Sequence, residues 1–416
     1  MAGGSLLPGD RNRITNPNRR YGEFESVLLG LQTEKHTLSH EVYITRLARF
    51  LPGLPVPNSE MEEYLGMVAG KPSRSKPLIL RNNGITERYY AIDKDGNSLY
   101  TNAEMTAKAV ERLFDADFTA DDIQLLSCGT TSPDQLLPAH ASMVHGLVGG
   151  SHVETVGCAG SCLAGFQSFK TAFLNLKAGL KDNAVVTGSE MFSKAFRAEN
   201  FEEEYKKVEQ LEESPYIAFE RDFLRWMLSD GACAAKLETA PAKDALSLRV
   251  DWLEAHSFAN ELKTCMYIGA ERQPDGDLKG FRQFDPVQWP AQSMFSINQD
   301  TRILGENVIK YGGIFSKMVM DKHRIKGAEI DWFLPHISSM FFMEKTFDEL
   351  HARGLDIPKD RYFTNLKTVG NLGSAAFLFI IDELFHSGRL QKGQRILAMV
   401  PESARFAYGY AHFTVV

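Results

Sequence analysis

The chain has 416 residues, 44% hydrophobic and 24% charged, with a formal net charge of −7. That length exceeds what one core fills, so two domains or two similar halves are expected. The acidic balance, with no basic stripe interleaved with aromatics, excludes general nucleic-acid binding, and no apolar run approaches the ~20 residues of a membrane span.

In chain order, residues 1–40 open with "MAGGSLLPGDRNRITNPNRRYGEF", a polar leader without a signal peptide's apolar core. Five cysteines (Cys128, Cys158, Cys162, Cys233 and Cys265) are an odd number with no doubled metal-ligand spacing. They predict a reduced cytoplasmic protein that holds no metal. "EVYITRLARFLPG" predicts a strand closed by a Pro-Gly turn, and "NSEMEEYLGMV" a helix capped by Asn58 or Ser59. "NAEMTAKAVERLFDAD" predicts an amphipathic helix with Met105, Ala109, Val110 and Leu113 on one stripe. "DDIQLLSCGTTSPDQLLPAHASMVHGLVGG" reads as buried strand, polar turn and helix.

"VETVGCAGSCLAGF", residues 153–166, follows as a β-prone run, a sharp turn and a helix whose Phe166, Phe169 and Phe173 recur at helical spacing. This reading puts Cys158 at the turn and Cys162 one helical turn further on, facing inward, with both cysteines on one helix. A helix N-terminus lowers a thiol's pKa, which makes Cys158 the candidate nucleophile; a small buried hydrophobe is the alternative. "NAVVTGSEM" and "DGACAAKLE" predict two more strands. Residues 197–223 are dense in both charge signs and read as a solvated helical insertion, or else a lid or partner surface.

The second half repeats the texture. "SINQDTRILGENVIKYGGIFSKMVMDKH" predicts a long helix, "IDWFLPHISSMFFMEKTFDEL" strand, turn and helix, and "QRILAMVPESARFAYGYAHFTVV" two closing strands. The expected division is 41–240 and 241–416, two βα-rich halves of an α/β protein. Cys158, His336 in "FLPHISS" and Asn371 in "TVGNLGSAA" each fall at the predicted end of an apolar strand, where α/β sheets assemble their sites. Together they supply a nucleophile, an acid/base group and an amide donor. Singly, the histidine reads as a turn or core residue and the asparagine as a turn former.

The order of these motifs resembles the thiolase-fold condensing enzymes, specifically the ketoacyl-carrier-protein synthase III-like group, over nearly the whole chain from residue 41. "TSPDQLLPAHASMVHGLVG", "VGCAGSCLAGF", "DGACAA", "HISS", "GNLGSAA" and "ESARFAYGY" carry it. The resemblance implies two duplicated halves in α-β-α-β-α layers, a homodimer, and no cofactor beyond acyl thioesters on coenzyme A or an acyl carrier protein. It implies that Cys158 is acylated and that His336 and Asn371 stabilise the enolate of the second substrate. The backbone N–H groups of Cys158 and Ala404 would hold the acyl oxyanion.

Where the group's coenzyme A binders sandwich adenine between Trp and Arg, this chain has Leu78 and Thr86, which favours carrier-protein substrates. Ser403, Ala404 and Arg405 stand among the group's C-terminal glycines, and Ser338 and Ser339 replace Ala-Asn after the histidine. Glu154, four residues before Cys158, reads either as a solvated strand residue or as an added base. Such a base fits the subgroup that the chain most resembles, the bacterial ketosynthases forming cyclohexanediones for dialkylresorcinol and stilbene biosynthesis. There a β-ketoacyl and an α,β-unsaturated acyl thioester join by Claisen condensation and Michael addition. The alternatives are an ordinary chain-starting synthase III, a cysteine hydrolase of acyl thioesters, and a scaffold subunit, which usually loses the nucleophile or histidine.

Overall fold

The computed structural model describes residues 40–202, 223–290 and 292–416; the 1–40 leader, His40 apart, and nearly all of the 197–223 insertion lie outside them. Nine strands form one twisted sheet: β1 Tyr43–Phe50, β2 Leu125–Thr130, β3 Glu154–Ala159, β4 Asn183–Glu190, β5 Gly231–Glu238, β6 Leu248–Ser257, β7 Trp332–Pro335, β8 Arg395–Glu402 and β9 Ala407–Val415. Their order is β7-β8-β9-β6-β1-β5-β4-β2-β3.

Outward from the centre, each half runs first strand, last strand, then the earlier ones. In the N-terminal half β1 is antiparallel to β5, β5 to β4, and β4, β2 and β3 are parallel. In the C-terminal half β6 is antiparallel to β9, β9 to β8, and β8 is parallel to β7. Within the sheet the halves pair where Tyr43 faces Arg249 and Ile44 faces Leu248. The duplication that the residues alone do not display is thus present in the strand order.

Six helices complete the layers: α1 Asn102–Glu111, α2 His140–Val148, α3 Ala164–Lys177, α4 Thr301–His323, α5 Phe341–Ala352 and α6 Ala376–Phe385. α1 starts at a capping box between Thr101 and Glu104, and Met105, Ala109, Val110 and Leu113 are all buried as the stripe predicts. α1 and α2 cover the outer face of the N-terminal half, and α4 and α5 that of the C-terminal half. α3 and α6 lie between the halves, in a core shared with β1, β4, β5, β6, β8 and β9. This is the expected five-layer arrangement.

Four local expectations change. The short helix Met61–Leu65 has Glu60 at its cap, because Asn58 instead donates to the Ile85 carbonyl. β6, with its interspersed Asp251 and Glu254, was not foreseen; its charges are paired by Arg249, His412, His323 and Lys322. Asn371 follows the short helix Leu366–Val369 instead of a strand. Cys158 lies inside β3 opposite Gly129, so it shares no helix with Cys162.

The middle layer closes on glycine. A Cβ on Gly165 of α3 would stand 2.2 Å from the Ser374 carbonyl oxygen, and one on Gly188 of β4 would stand 2.8 Å from the same atom. Phe377 of α6 packs edge-on against Phe166 and Phe169 just beyond. Gly165→Ala should therefore force backbone apart and cost about 1–3 kcal/mol, seen as a lowered Tm; an unchanged Tm would contradict the contact.

Candidate active site

The backbone after β3 leaves the sheet at Ala159, turns through Gly160 and Ser161, and enters α3 at Ala164. Cys162 sits in that turn, two residues before the first helical residue. It lines one cavity with His336 and a second with Asn371, Ser161 and Ser403. His336 and Asn371 also share a third cavity between them. The structure therefore brings together Cys162, His336 and Asn371.

Cys158 lines none of these three cavities. Its thiol is engaged by Thr171 of α3 and raised in pKa chiefly by burial. The expectation that Cys158 stands at the turn beside His336 and Asn371 is corrected: Cys162 holds that place. The parallel ladder with β2 carries β3 on through Ala159, so the turn begins after Cys158. One signal pointed the right way: counting back from Phe166 at helical spacing puts Cys162, the cysteine of "CLAGF", at the helix start.

Glu154 is placed apart as well. It is at the opposite, N-terminal end of β3, half exposed, with its carboxylate 3.1 Å from the Lys181 ammonium. It lines none of the cavities at Cys162 or His336.

His336 follows β7, held by its backbone N–H donating to the Met399 carbonyl at 2.8 Å. Its ring has no hydrogen-bond partner among the described residues and faces cavities on both sides. Burial pushes its pKa down to about 4, so at neutral pH it is an uncharged imidazole able to donate one N–H. Asn371 Oδ1 accepts from the Gly373 N–H at 3.0 Å, while its backbone bonds Met227 and Ser229. That contact assigns the amide's orientation and leaves Nδ2 as the donor.

Two buried carboxylates that the sequence reading passed over flank the thiol. Glu190, at the end of β4, accepts from Thr131 Oγ1 at 2.6 Å, Ser132 Oγ at 2.7 Å and the Ser374 N–H at 2.9 Å. It ties the Asn371 turn to the loop after β2. Glu402, at the end of β8, accepts the Ala404 N–H at 2.7 Å. The expected oxyanion donor at Ala404 is therefore occupied in this structure. Burial pushes the Cys162 thiol up to about 12, and the charges of Glu402 and Glu190 add to the rise. The N-terminus of α3 acts the other way, favouring the thiolate.

An apolar cavity runs from Cys162 and His336 between α4 and α5, walled by Leu304, Val308, Phe342, Leu350 and Met399. At the second cavity the walls are Phe192, Leu224, Met227, Leu228 and Ile297. Among the described residues no cluster of metal-ligating side chains occurs, and no helix is long and apolar enough to cross a membrane. Leu78 is exposed, and Thr86 donates to the Lys367 carbonyl.

Residues 320–403 match the sequence family described as 3-oxoacyl-[acyl-carrier-protein (ACP)] synthase III C terminal. A beta-ketoacyl-[acyl-carrier-protein] synthase III of Clostridium perfringens is 22% identical over 350 residues, 84% of this chain and 91% of the relative. The structure of AbyA1, a tetronic acid condensing enzyme, superposes with a TM-score of 0.68 at 18% identity, covering 90% of this chain and 99% of that one. Xanthomonas campestris OleA with bound lauric acid and lauroyl-CoA gives 0.66 at 22%, with coverages of 90% and 99%. At these identities the structural likenesses establish the fold.

The burial of His336 has a pH consequence. Its folded pKa near 4 lies below the ordinary ~6.5. The unfolded chain thus binds more protons between those values, and this group withdraws stability as pH falls through that window. Above it the ring is neutral. Its NMR signal should titrate near pH 4 and stay constant from pH 6 to 8; a midpoint near 6.5 would contradict the buried, uncharged ring.

Proposed function

We propose, for a chain with the thiolase fold and the C-terminal segment of the ketoacyl-carrier-protein synthase III-like condensing enzymes, that it is a ketosynthase joining two acyl thioesters. Cys162 is the acylated residue. Its thiolate attacks the thioester carbonyl carbon, and the carrier thiol leaves. A carbanion forms beside the carbonyl of the second thioester as that carbon loses carbon dioxide or gives up a proton, which ends on the Cys162 thiolate released in the last step. His336 Nε2–H or Nδ1–H and Asn371 Nδ2 stabilise it as an enolate, which attacks the acyl carbon and expels the Cys162 thiolate. A neutral histidine suits this work, since it donates a hydrogen bond without holding a charge in a buried site.

One observation carries the reading: Cys162 lies where two apolar cavities meet, one reached past His336 and the other past Asn371. That gives each acyl chain its own apolar-walled approach to the thiol. The finer assignment is the β-ketoacyl plus α,β-unsaturated acyl pair, condensed and then closed by Michael addition to a cyclohexanedione for dialkylresorcinol or stilbene formation. Its support is the motif resemblance together with those two cavities. Substrates ride on acyl carrier protein or coenzyme A, and Leu78 and Thr86 favour the carrier protein.

A homodimer belongs to the same reading. β3 is the sheet's edge strand, its residues exposed or half-buried, and after Glu154 it runs Thr-Val-Gly-Cys-Ala without a charge. An edge so unprotected calls for a covering partner. A chain-starting synthase III remains the second reading, since the catalytic trio serves either product.

Exposure to an octanoyl thioester should add the acyl mass to the wild type and to Cys158→Ala, and none to Cys162→Ala; an adduct surviving in Cys162→Ala would reject the nucleophile. His336→Ala and Asn371→Ala should acylate yet lose about 10²-fold or more in product, the usual effect of removing one such donor. Supplied with a β-ketoacyl and an enoyl thioester together, the enzyme should yield the ring by mass spectrometry. An open-chain β-ketoacyl product alone would select the chain-starting reading, and free acid alone a hydrolase. Glu154→Gln should form as much ring as the wild type.

A further inference from the structure

The mechanism above needs a thiolate, yet the thiol rests in a buried site beside two carboxylates. The surroundings of Cys162 show where its proton can go. Ser161 Oγ lies 3.7 Å from Cys162 Sγ and donates to it. The same hydroxyl interacts with the Glu402 carboxylate. A serine has one hydrogen to donate and two lone pairs to accept with, so it can donate to only one of these neighbours at a time and can receive a proton as it gives one up. Glu402, Ser161 and Ala404 line one cavity wall.

We propose that Glu402 is the proton acceptor for Cys162 during acylation, acting through the Ser161 hydroxyl. The S–H bond breaks, its electron pair stays on sulfur and its proton passes to Ser161 Oγ, while the Ser161 proton passes to a Glu402 oxygen. The thiolate attacks the thioester carbon, the carbon–sulfur bond to the carrier breaks, and the departing thiolate takes back the proton by the reverse route. No other reactant is needed.

A second consequence follows from the Ala404 contact. The charged carboxylate now occupies the Ala404 N–H at 2.7 Å. A carboxylate binds an N–H far more strongly than a neutral carboxyl does. Proton transfer to Glu402 thus makes the nucleophile and releases the donor for the oxyanion in one event. This couples activation of sulfur to completion of the oxyanion site.

The other titratable groups around the thiol do not offer this route. Glu190 is fully engaged by Thr131, Ser132 and Ser374, and His336, which shares a cavity with Cys162, is a poor proton acceptor because burial pushes its pKa down to about 4. Around Glu402 itself stand Cys162, Tyr408 and the backbone N–H groups of Ala404, Arg405 and Ala407. Burial raises the Glu402 pKa, which makes it a stronger base than an exposed carboxylate. The inference rests on Cys162 as the nucleophile of the proposed function.

The test is alkylation of Cys162 by iodoacetamide from pH 5 to 9 in a Cys158→Ala background, followed by peptide mass. With Glu402 present, the rate should rise and then level once that carboxyl is ionised. In Glu402→Gln, which keeps size and an acceptor for Ala404, the rate should climb tenfold per pH unit throughout. At pH 6 to 7 it should be at least tenfold slower than the parent, the low end of general-base effects. Ser161→Ala should follow the Gln variant. Parallel curves, or a Glu402→Gln rate above the parent at every pH as a merely repelling charge would give, overturn the proposal. Iodoacetamide needs neither carrier nor second substrate. A plateau without acylation by thioester would therefore reject the condensing function and spare the relay, and parallel curves with normal condensation would do the reverse.

Discussion

The site depends on a backbone-to-backbone contact. Ser374's carbonyl oxygen occupies the space where side chains on Gly165 and Gly188 would be, so α3, β4 and the turn leading into α6 meet with no Cβ between them. Glu190 locks the same junction by accepting the Ser374 N–H and the hydroxyls of Thr131 and Ser132. A buried carboxylate is tolerable only when its charge is met by several donors, and here those donors come from both halves of the molecule. The result is that the start of α3, carrying Cys162, and the Asn371 turn are fixed to each other by covalent geometry and short hydrogen bonds. Mobile side chains have little part in it.

The chemistry inherits its character from that packing. Because the two central helices are buried, with Phe166, Phe169 and Phe377 sealing them, the thiol and the imidazole both sit where charge is poorly solvated. Burial therefore moves both pKa values toward the neutral forms, Cys162 up and His336 down. For the histidine this is useful as it stands, because a neutral donor is what a developing enolate needs. For the cysteine it raises a cost, which the helix N-terminus lowers and a nearby proton acceptor can remove. Glu402 stands where the related synthases lead into a run of glycines. It occupies the Ala404 N–H, so the expected oxyanion donor is taken by the site's own carboxylate.

Much of this was legible in the residues. Apolar runs of strand length alternating with helical stripes determine an α/β chain, and the stripe of α1 predicts its own burial. His336 and Asn371 were visible because each stands in a short polar turn beside strongly apolar segments. Glu402 carried a weaker signal, an acid closing the apolar run "RILAMVP", and β6 little at all, since its acids are paired largely by β9 and α4.

What the sequence could not decide is where β3 ends. Between Val153 and Phe166 almost every residue is small, so Cys158 and Cys162 look alike locally, and strand and helix propensities trade off smoothly along the stretch. The length of β3 is set by its partner: hydrogen bonds to β2 continue to Thr130 opposite Ala159, holding Cys158 in the sheet and delaying the turn to Gly160. The same limit applies to Glu154, whose neighbour along the chain is the nucleophile strand but whose neighbour in space is Lys181. Sequence determined which kinds of groups are available and on what elements. Tertiary pairing alone decided which of two cysteines meets the histidine, because strand register is set by β2, about thirty residues earlier, and helix contact by Ser374, about two hundred later.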